Sequence, residues 1–464
     1  MLNLFNIQTK NINSAAFILG ITSLISALLG LIRDRLLAGT FGAGGELDVY
    51  YVAFRIPDFI NMVLIIGAIA AAITPIFSQH LIRSREEAFK FLSNLLNVFL
   101  FFLIIISIIL IIFVPQIISL IAPGFSPEKK ELTVLLTRIM FLSPILLGMS
   151  NIISSILRVF QRFLITSIAP ILYNVGIIIG ILFFVPLMGL QGLAWGVVLG
   201  GFLHLLVQAP ALIKVGFKPE KIFNLKEPSL IEAIKLTIPR SIGLATMQIN
   251  LIIITAIAST LSVGSIAIFN LAENLSRPLY TFIAVSFSTA AFPVLSLAFS
   301  KRDKEKFKET FSLTFNKILF LTLPLGLLFF LFKDLIVKTI LQAGKFSSFD
   351  TEITAVSFGL FSLGIFAEGM VLLIAKAFYA FHDTKTPTII SIANSIFTLI
   401  LCLIFVRLLS EPNLFQQFLS SFLGIKNLKG IEIVALPLAI SLSATLQFLI
   451  LLILFRRKRK LAFE

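Results

Sequence analysis

Apolar residues in this chain fall in long unbroken runs, not in short alternating strands or two-faced amphipathic helices. About twelve runs reach the length an α-helix needs to cross a bilayer. In the first half they cover roughly 14–38, 49–78, 88–121, 131–158, 164–186 and 189–213. In the second they cover roughly 229–259, 264–299, 309–340, 351–380, 386–408 and 431–455. Backbone polar groups in lipid must be satisfied within their own segment, so each run predicts a helix. A membrane barrel would show short alternating strands, and 101–114 is continuously apolar instead. The pattern predicts an all-α polytopic membrane protein. Its first run carries a polar interruption, Gly30-Leu31-Ile32-Arg33-Asp34-Arg35, followed by a glycine-rich turn, Phe41-Gly42-Ala43-Gly44-Gly45. Charge at membrane depth is costly and usually faces a protein interior or a water-filled cavity.

Composition agrees. The chain has 464 residues, 58% hydrophobic and only 13% charged, with mean hydropathy +1.03. The formal charge of +15 does not signal nucleic acid, because the basic residues are loop anchors. One side collects Lys10, Arg83, Arg85, Lys90, Arg158, Arg162, Lys214, Lys218, Lys221 and Lys226. It also takes Lys301, Arg302, Lys304, Lys306, Lys308, Lys385 and the terminal Arg456-Arg457-Lys458-Arg459-Lys460. The other side holds only Lys129, Lys130, Lys345, Lys426 and Lys429. The positive-inside bias therefore predicts both termini in the cytoplasm, with the terminal basic run touching anionic lipid. Residues 1–14 are polar and no small-residue cleavage pattern follows the first run, so no cleavable signal is expected. Cys402 is the single cysteine, which excludes an intrachain disulfide and a thiolate metal site.

Two six-span halves repeat. Ala71-Ala72-Ile73-Thr74-Pro75-Ile76-Phe77-Ser78 is echoed by Thr289-Ala290-Ala291-Phe292-Pro293-Val294-Leu295-Ser296. Ala88-Phe89-Lys90-Phe91 is echoed by Lys306-Phe307-Lys308, and Gly148-Met149 by Gly369-Met370. Six spans per repeat, each starting inside, predict parallel lobes at 1–228 and 229–464, with a substrate cleft between them and alternating access by rocking. Within 409–430, Leu414, Phe415, Phe418, Leu419, Phe422 and Leu423 recur at helical spacing and predict a helix on the periplasmic interface. A tucked loop helix without function is an equal alternative.

The charges at membrane depth gather in spans one, two, seven and eight: Arg33, Asp34, Arg35, Asp48, Arg55, Asp58, Lys235, Arg240, Glu273 and Arg277. Arginine binds phosphate bidentately and stays charged when desolvated, so this set favours an anionic, phosphorylated substrate. The competing assignment is internal pairing, Arg33 with Asp34 or Asp48 and Glu273 with Arg277 one turn on. Arg138, Glu368 and Lys376 read as a lateral pair or end anchors. His204 reads as a packing histidine rather than a proton relay, and the many Phe residues as lipid-facing or packing residues. No nucleophile–base–oxyanion set, phosphate loop or metal-ligand spacing is present in the sequence. Neither an enzyme nor a cofactor is expected.

Leu28-Leu29-Gly30-Leu31-Ile32-Arg33-Asp34, Phe41-Gly42-Ala43-Gly44, Asp48 and Ala53-Phe54-Arg55-Ile56-Pro57 together resemble the MurJ/MviN lipid II flippases of the MOP superfamily. The resemblance continues through Ala122-Pro123-Gly124-Phe125, Arg162-Phe163, Ala169-Pro170 and Asn174. It ends at Gly344-Lys345-Phe346, Phe349-Asp350, Phe378-Tyr379 and Asp383-Thr384-Lys385-Thr386-Pro387. It implies a V-shaped pair of six-helix lobes and export of a polyprenyl-pyrophosphate-linked peptidoglycan precursor. The implied partners are that anionic lipid-linked substrate, membrane lipids and a monovalent ion. The chain departs from the family where arginines are usual: Ala27 before the first Leu-Gly, Asn61-Met62 and Ile66-Gly67-Ala68 in span two, and Asn274 after Ala272-Glu273. The family's last two helices have no counterpart after the twelfth span. Arg33, Asp34, Asp48 and Arg55 stand on family positions, while Arg277, and Glu273 beside it, are assigned here as compensation. Two readings stay open: a divergent lipid II flippase, or a carrier of another polyprenyl-linked glycan. A drug/ion antiporter of the same superfamily ranks below both.

Overall fold

The computed structural model describes residues 12–66, 73–425 and 430–462. Among these there is no strand. The first half contains α1 (Ile12–Phe41), α2 (Gly45–Ile60), α3 (Thr74–Arg83), α4 (Arg85–Ile121) and α5 (Pro127–Met140). It continues with α6 (Leu142–Val159), α7 (Phe163–Ile179), α8 (Val185–Met188) and α9 (Leu190–Lys214). After the loop 215–227 come α10 (Pro228–Ser259), α11 (Ser265–Leu279), α12 (Ser286–Ser300), α13 (Lys304–Leu331) and α14 (Lys333–Leu341). The chain ends with α15 (Ser348–Ala380), α16 (Lys385–Ser410), α17 (Leu414–Leu423) and α18 (Ala435–Ala462). Ten helical stretches among the described residues are long and apolar enough to cross a membrane. The described parts of the second and seventh runs are helical as well. Residues 67–72, Lys10, Lys426 and Lys429 lie outside the described residues, as does the side chain of Arg240.

Several spans are not plain α-helices. Wider π-helical turns occupy Asn61–Ile66 after α2, Gly180–Phe184 after α7 and Tyr280–Val285 after α11. Pro57 lies inside α2 and Pro278 inside α11. Proline removes one ladder hydrogen bond and crowds the preceding turn, which favours local widening. When Pro75 is laid on Pro293, the π segments of spans two and eight start within one residue of each other, at Asn61 and Tyr280. The same superposition lays Phe89 on Phe307, both buried. The sequence repeat is thus matched by a repeat of backbone irregularity.

The chain groups into two compact units. One takes Met1–Leu37 with Gly45–Ile252, the other Ala38–Gly44 with Ile253–Glu464. The division falls inside α10, at Ile252.

In the first unit a buried cluster of Phe77, Phe89, Phe91, Ile152, Ile156 and Leu212 joins α3, α4, α6 and α9. The loop 215–227 is stitched onto α4. Asn94 donates to Asn224 O at 2.9 Å and accepts from Asn224 N at 2.7 Å, while Asn97 donates to Glu220 O and Ile222 O at 2.8 and 2.9 Å. His80 bridges Glu87 (2.9 Å) and Ser229 Oγ (2.8 Å), fixing the start of α10 beside α4. α7 and α9 cross through glycine: a Cβ on Gly176 would lie 2.3 Å from Gly200 Cα, and one on Gly180 would lie 2.5 Å from Gly196 Cα. With lipid as apolar as the helix faces, such close backbone approach is what makes helix pairing favourable.

In the second unit α15 is the central helix, packed on α11, α13 and α18. Its aromatic residues stack in a cluster, with Phe311–Phe455 centroids 4.4 Å and Phe307–Phe381 4.8 Å apart. The glycine-rich turn at the end of α1 belongs here. Lys345 N donates to Gly39 O at 2.8 Å, and Ala43 N points to Asp350 Oδ2 at 3.5 Å. Gly264, at φ +92°, leaves no room for a Cβ, which would sit 1.9 Å from Ala43 O. Ser347 and Asp350 form a reciprocal capping box that starts α15. α17 is capped by Asn413 and closed by Gly424 at φ +73°. It buries Gln416, Leu419 and Ser420 and exposes Leu414, Phe418 and Phe422.

Replacing Gly176 or Gly200 by leucine will overpack the α7–α9 crossing and cost about 1–3 kcal/mol. Gly20→Leu, with nothing within 4 Å of its Cβ, will be neutral. Thermal unfolding of the purified full chain in detergent distinguishes the two outcomes.

Candidate functional site

In the first unit the polar interruption of α1 is organised around one guanidinium. Arg33 Nε and Nη2 both donate to Asp34 Oδ1, at 3.0 and 2.8 Å, and Nη1 donates to Asn174 Oδ1 at 3.1 Å. Asn174 on α7 spends its amide nitrogen on Pro170 O (3.2 Å) and on Ser26 (3.4 Å). Its oxygen is thereby turned toward Arg33. The pairing predicted between Arg33 and Asp34 is present, and Asp34 is buried. Arg35, two residues on, is exposed on α1.

Around this pair stand groups from α2 and α7. Tyr50 and Tyr51 lie within electrostatic reach of Arg33 and Asp34, and Tyr51 also within reach of Arg55. Tyr173 faces Arg33 and Asp58 and bonds Ser143. Asp58 faces Arg55 and accepts from Gln248 of α10. Asp48 is buried in the first turn of α2, where the positive end of the helix dipole favours a carboxylate. The Tyr51 hydroxyl is buried and makes no hydrogen bond among the described residues. A buried polar group without a partner costs roughly 1–3 kcal/mol, so this phenol is a donor lacking an acceptor beside two arginines.

The charge of this cluster is balanced. Arg33 and Arg55 are matched in number by Asp34 and Asp58. An anion would meet positioned donors here, not an excess of positive charge. At the family position of Asn61, the side chain accepts weakly from Asn151 at 3.5 Å, a neutral amide contact.

The second unit has its own cluster. Arg277 is more than half exposed and donates to Glu273, one turn earlier, at 2.5 Å. Glu368 of α15 also lies within electrostatic reach of Arg277, so the sequence's lateral residue joins this group. Lys376 donates to Thr289 Oγ1 at 2.7 Å. Two carboxylates thus attend one guanidinium. Arg138 and Lys235 are exposed on α5 and α10. His204 is buried among Ser150 and Gln208, with Nδ1 2.7 Å from Ser150 Oγ, a packed polar network as expected.

Three contributors escaped the sequence reading as site residues: Asn174, Tyr51 and Gln248. For Asn174 the available signal was its place in the family resemblance, and for Gln248 a lone amide in an apolar span. Tyr51 had none, because its importance lies in a missing partner.

Comparison with known proteins follows from this geometry. The family model described as "Lipid II flippase MurJ" matches residues 37–464. The chain is 34% identical over 385 residues to the probable lipid II flippase MurJ of Buchnera aphidicola subsp. Acyrthosiphon pisum, covering 82% of this chain and 74% of that one. It is 29% identical to the lipid II flippase MurJ of Burkholderia cenocepacia, covering 84% and 78%. Among solved structures it resembles a lipid II flippase MurJ in an inward closed conformation, with TM-score 0.78, 27% identity, and 95% and 87% coverage. An inward-facing multidrug resistance MATE transporter of the MOP superfamily gives TM-score 0.75 at 14% identity, covering 97% and 98%. That likeness is one of fold.

Asn174→Ala strips Arg33 of its second acceptor and will lower stability by about 1–2 kcal/mol. Tyr51→Phe removes an unsatisfied hydroxyl and will leave the unfolding temperature unchanged or raise it. A Tyr51→Phe loss equal to that of Asn174→Ala would show that the hydroxyl is bonded.

Proposed function

This chain belongs to the MurJ family of lipid II flippases, and we propose that it carries lipid II, a polyprenyl-pyrophosphate-linked peptidoglycan precursor, from the inner to the outer leaflet of the bacterial inner membrane by alternating access. The observation that carries the reading is the first-unit cluster: Arg33 fixed by Asp34 and Asn174, Arg55 beside Asp58, and the unpartnered Tyr51 hydroxyl among them. A pyrophosphate supplies the acceptor that Tyr51 lacks and takes charge-assisted bonds from the two arginines. Because the cluster is neutral without substrate, the head group is held by preset geometry. Exchange of a carboxylate for a phosphate oxygen lets it be released again. Asp34 and Asp48 hold the arginines and the start of α2 in place.

Arg277, half exposed beside Glu273, is the second-unit cation assigned to an anionic substrate. Both termini are assigned to the cytoplasm, by the distribution of basic residues. Coupling to a monovalent ion belongs to the same proposal. The step is one of transport, with no covalent chemistry and no cofactor. A second reading, transport of another polyprenyl-linked glycan, is favoured by one observation: a neutral Asn61–Asn151 contact stands where the family carries arginine.

Rescue of cells depleted of their own flippase tests the reading. Arg33→Ala and Arg55→Ala will each reduce lipid II translocation by about tenfold to a hundredfold, the worth of one charge-assisted hydrogen bond. Tyr51→Phe will reduce it by a smaller factor without loss of stability. Arg277→Ala will impair more than Arg138→Ala. Full activity of both first-unit arginine variants would overturn the site. Failure of the wild-type chain to rescue, at good expression, would move the substrate to another glycan.

A further inference from the structure

The first unit contains a cavity of about 400 Å3 between α4, α10 and the π turn that follows α2. Its wall is hydrocarbon, with Val63, Phe99 and Ala245 representative of the three elements. Two hydroxyls line it, and both are already spent: Thr237 donates to Ala233 O and Ser241 to Val63 O, each at 2.7 Å. The wall therefore offers a ligand no open hydrogen-bonding group. At the rim Phe102, Ile234 and Ile238 are exposed, and Phe102 belongs to the continuous apolar stretch of α4. A void of this size with such walls is filled by apolar chain and not by water.

We propose that this cavity receives part of the polyprenyl chain of the lipid-linked substrate. The inference rests on the flippase reading above and extends it from head group to tail. Position supports it. Val63 lies eight residues beyond Arg55 on the same span, about 12 Å at helical rise. On α10, Ala245 lies one turn before Gln248, whose side chain bonds Asp58. Two of the three elements that frame the cavity thus also present the charged cluster, so one molecule can put its pyrophosphate at Arg55 and its first isoprene units against Val63 and Ala245. Bilayer acyl chains have the same chemistry but no reason to start at that cluster. Since lipid is as apolar as the cavity, selectivity comes from this tether and from packing contacts, not from hydrophobicity.

The test uses the purified full chain in nanodiscs with three probes. One is a polyprenyl pyrophosphate bearing a photoactivatable group in its first isoprene units. The second is a phosphatidylglycerol with the same group on an acyl chain. The third is farnesyl pyrophosphate, added as a competitor. The polyprenyl probe is expected to label α4 near Phe99 and Phe102, with the phospholipid labelling there about tenfold less. Ala233→Leu and Ala245→Leu, which fill the void from two places, are expected to cut polyprenyl labelling by about tenfold while leaving the unfolding temperature unchanged or raised. Equal labelling by the phospholipid, or labelling that ignores both fillings, overturns the assignment. Farnesyl competition separates the two levels. If it depends on Arg33 and Arg55 while the cavity stays unlabelled, only the tail site is wrong. If it ignores both arginines, the flippase site is wrong and the tail site falls with it.

Discussion

No backbone N–H or C=O at membrane depth can go without a partner, and this constraint shapes the whole chain. It makes every described span helical and confines irregularity to places where another group takes up the slack. Several hydroxyls of the spans obey it too. Thr22, Thr133, Thr137, Thr322 and Thr398 donate to the carbonyl four residues earlier, at 2.6–2.8 Å, so they add no open polarity to the membrane. Where the helix stops, backbone must pair across loops. The glycine turn after α1 does this against Lys345, and only residues without a Cβ fit at Gly42 and Gly264.

The same rule applied to side chains governs the charged groups. An arginine cannot sit in a span without partners. Arg33 has a carboxylate one residue on and an amide from another helix; Arg277 has a carboxylate one turn back and another in reach. Internal pairing and anion binding, opposed readings from the sequence, are compatible in the structure. The pairing is what permits the charge to wait there. The Tyr51 hydroxyl, buried without an acceptor beside Arg33 and Arg55, is one of several points among the described residues at which satisfaction stops, with Ser107, Ser288, Thr354 and Ser357.

Much of this was legible in the residues. Span positions follow from apolar run length alone, and α17 from the spacing of Leu414, Phe418 and Phe422. The family motif at Arg33-Asp34 marked the cluster. Three things were not legible. The π turns leave no mark in hydropathy, because they change backbone geometry and not composition. Asn174 and Gln248 look like isolated amides until α7 and α10 are placed beside α1 and α2. Glu368 was read as a lateral or anchoring residue because its relation to Arg277 depends on α11 packing against α15. The last two are long-range contacts, and a single sequence records the pieces of such a contact without their pairing.

The matched π turns of spans two and eight carry a consequence for how this architecture can change. A π turn holds one residue more than the α-helix needs. Removing a residue from Asn61–Ile66 would let the ladder close as an ordinary helix and would rotate everything downstream by about 100°. Phe77, now wholly buried against Phe89 and Phe160, would swing out of its core. The extra residue is therefore a phase setting, fixing which face of the span's second half looks inward.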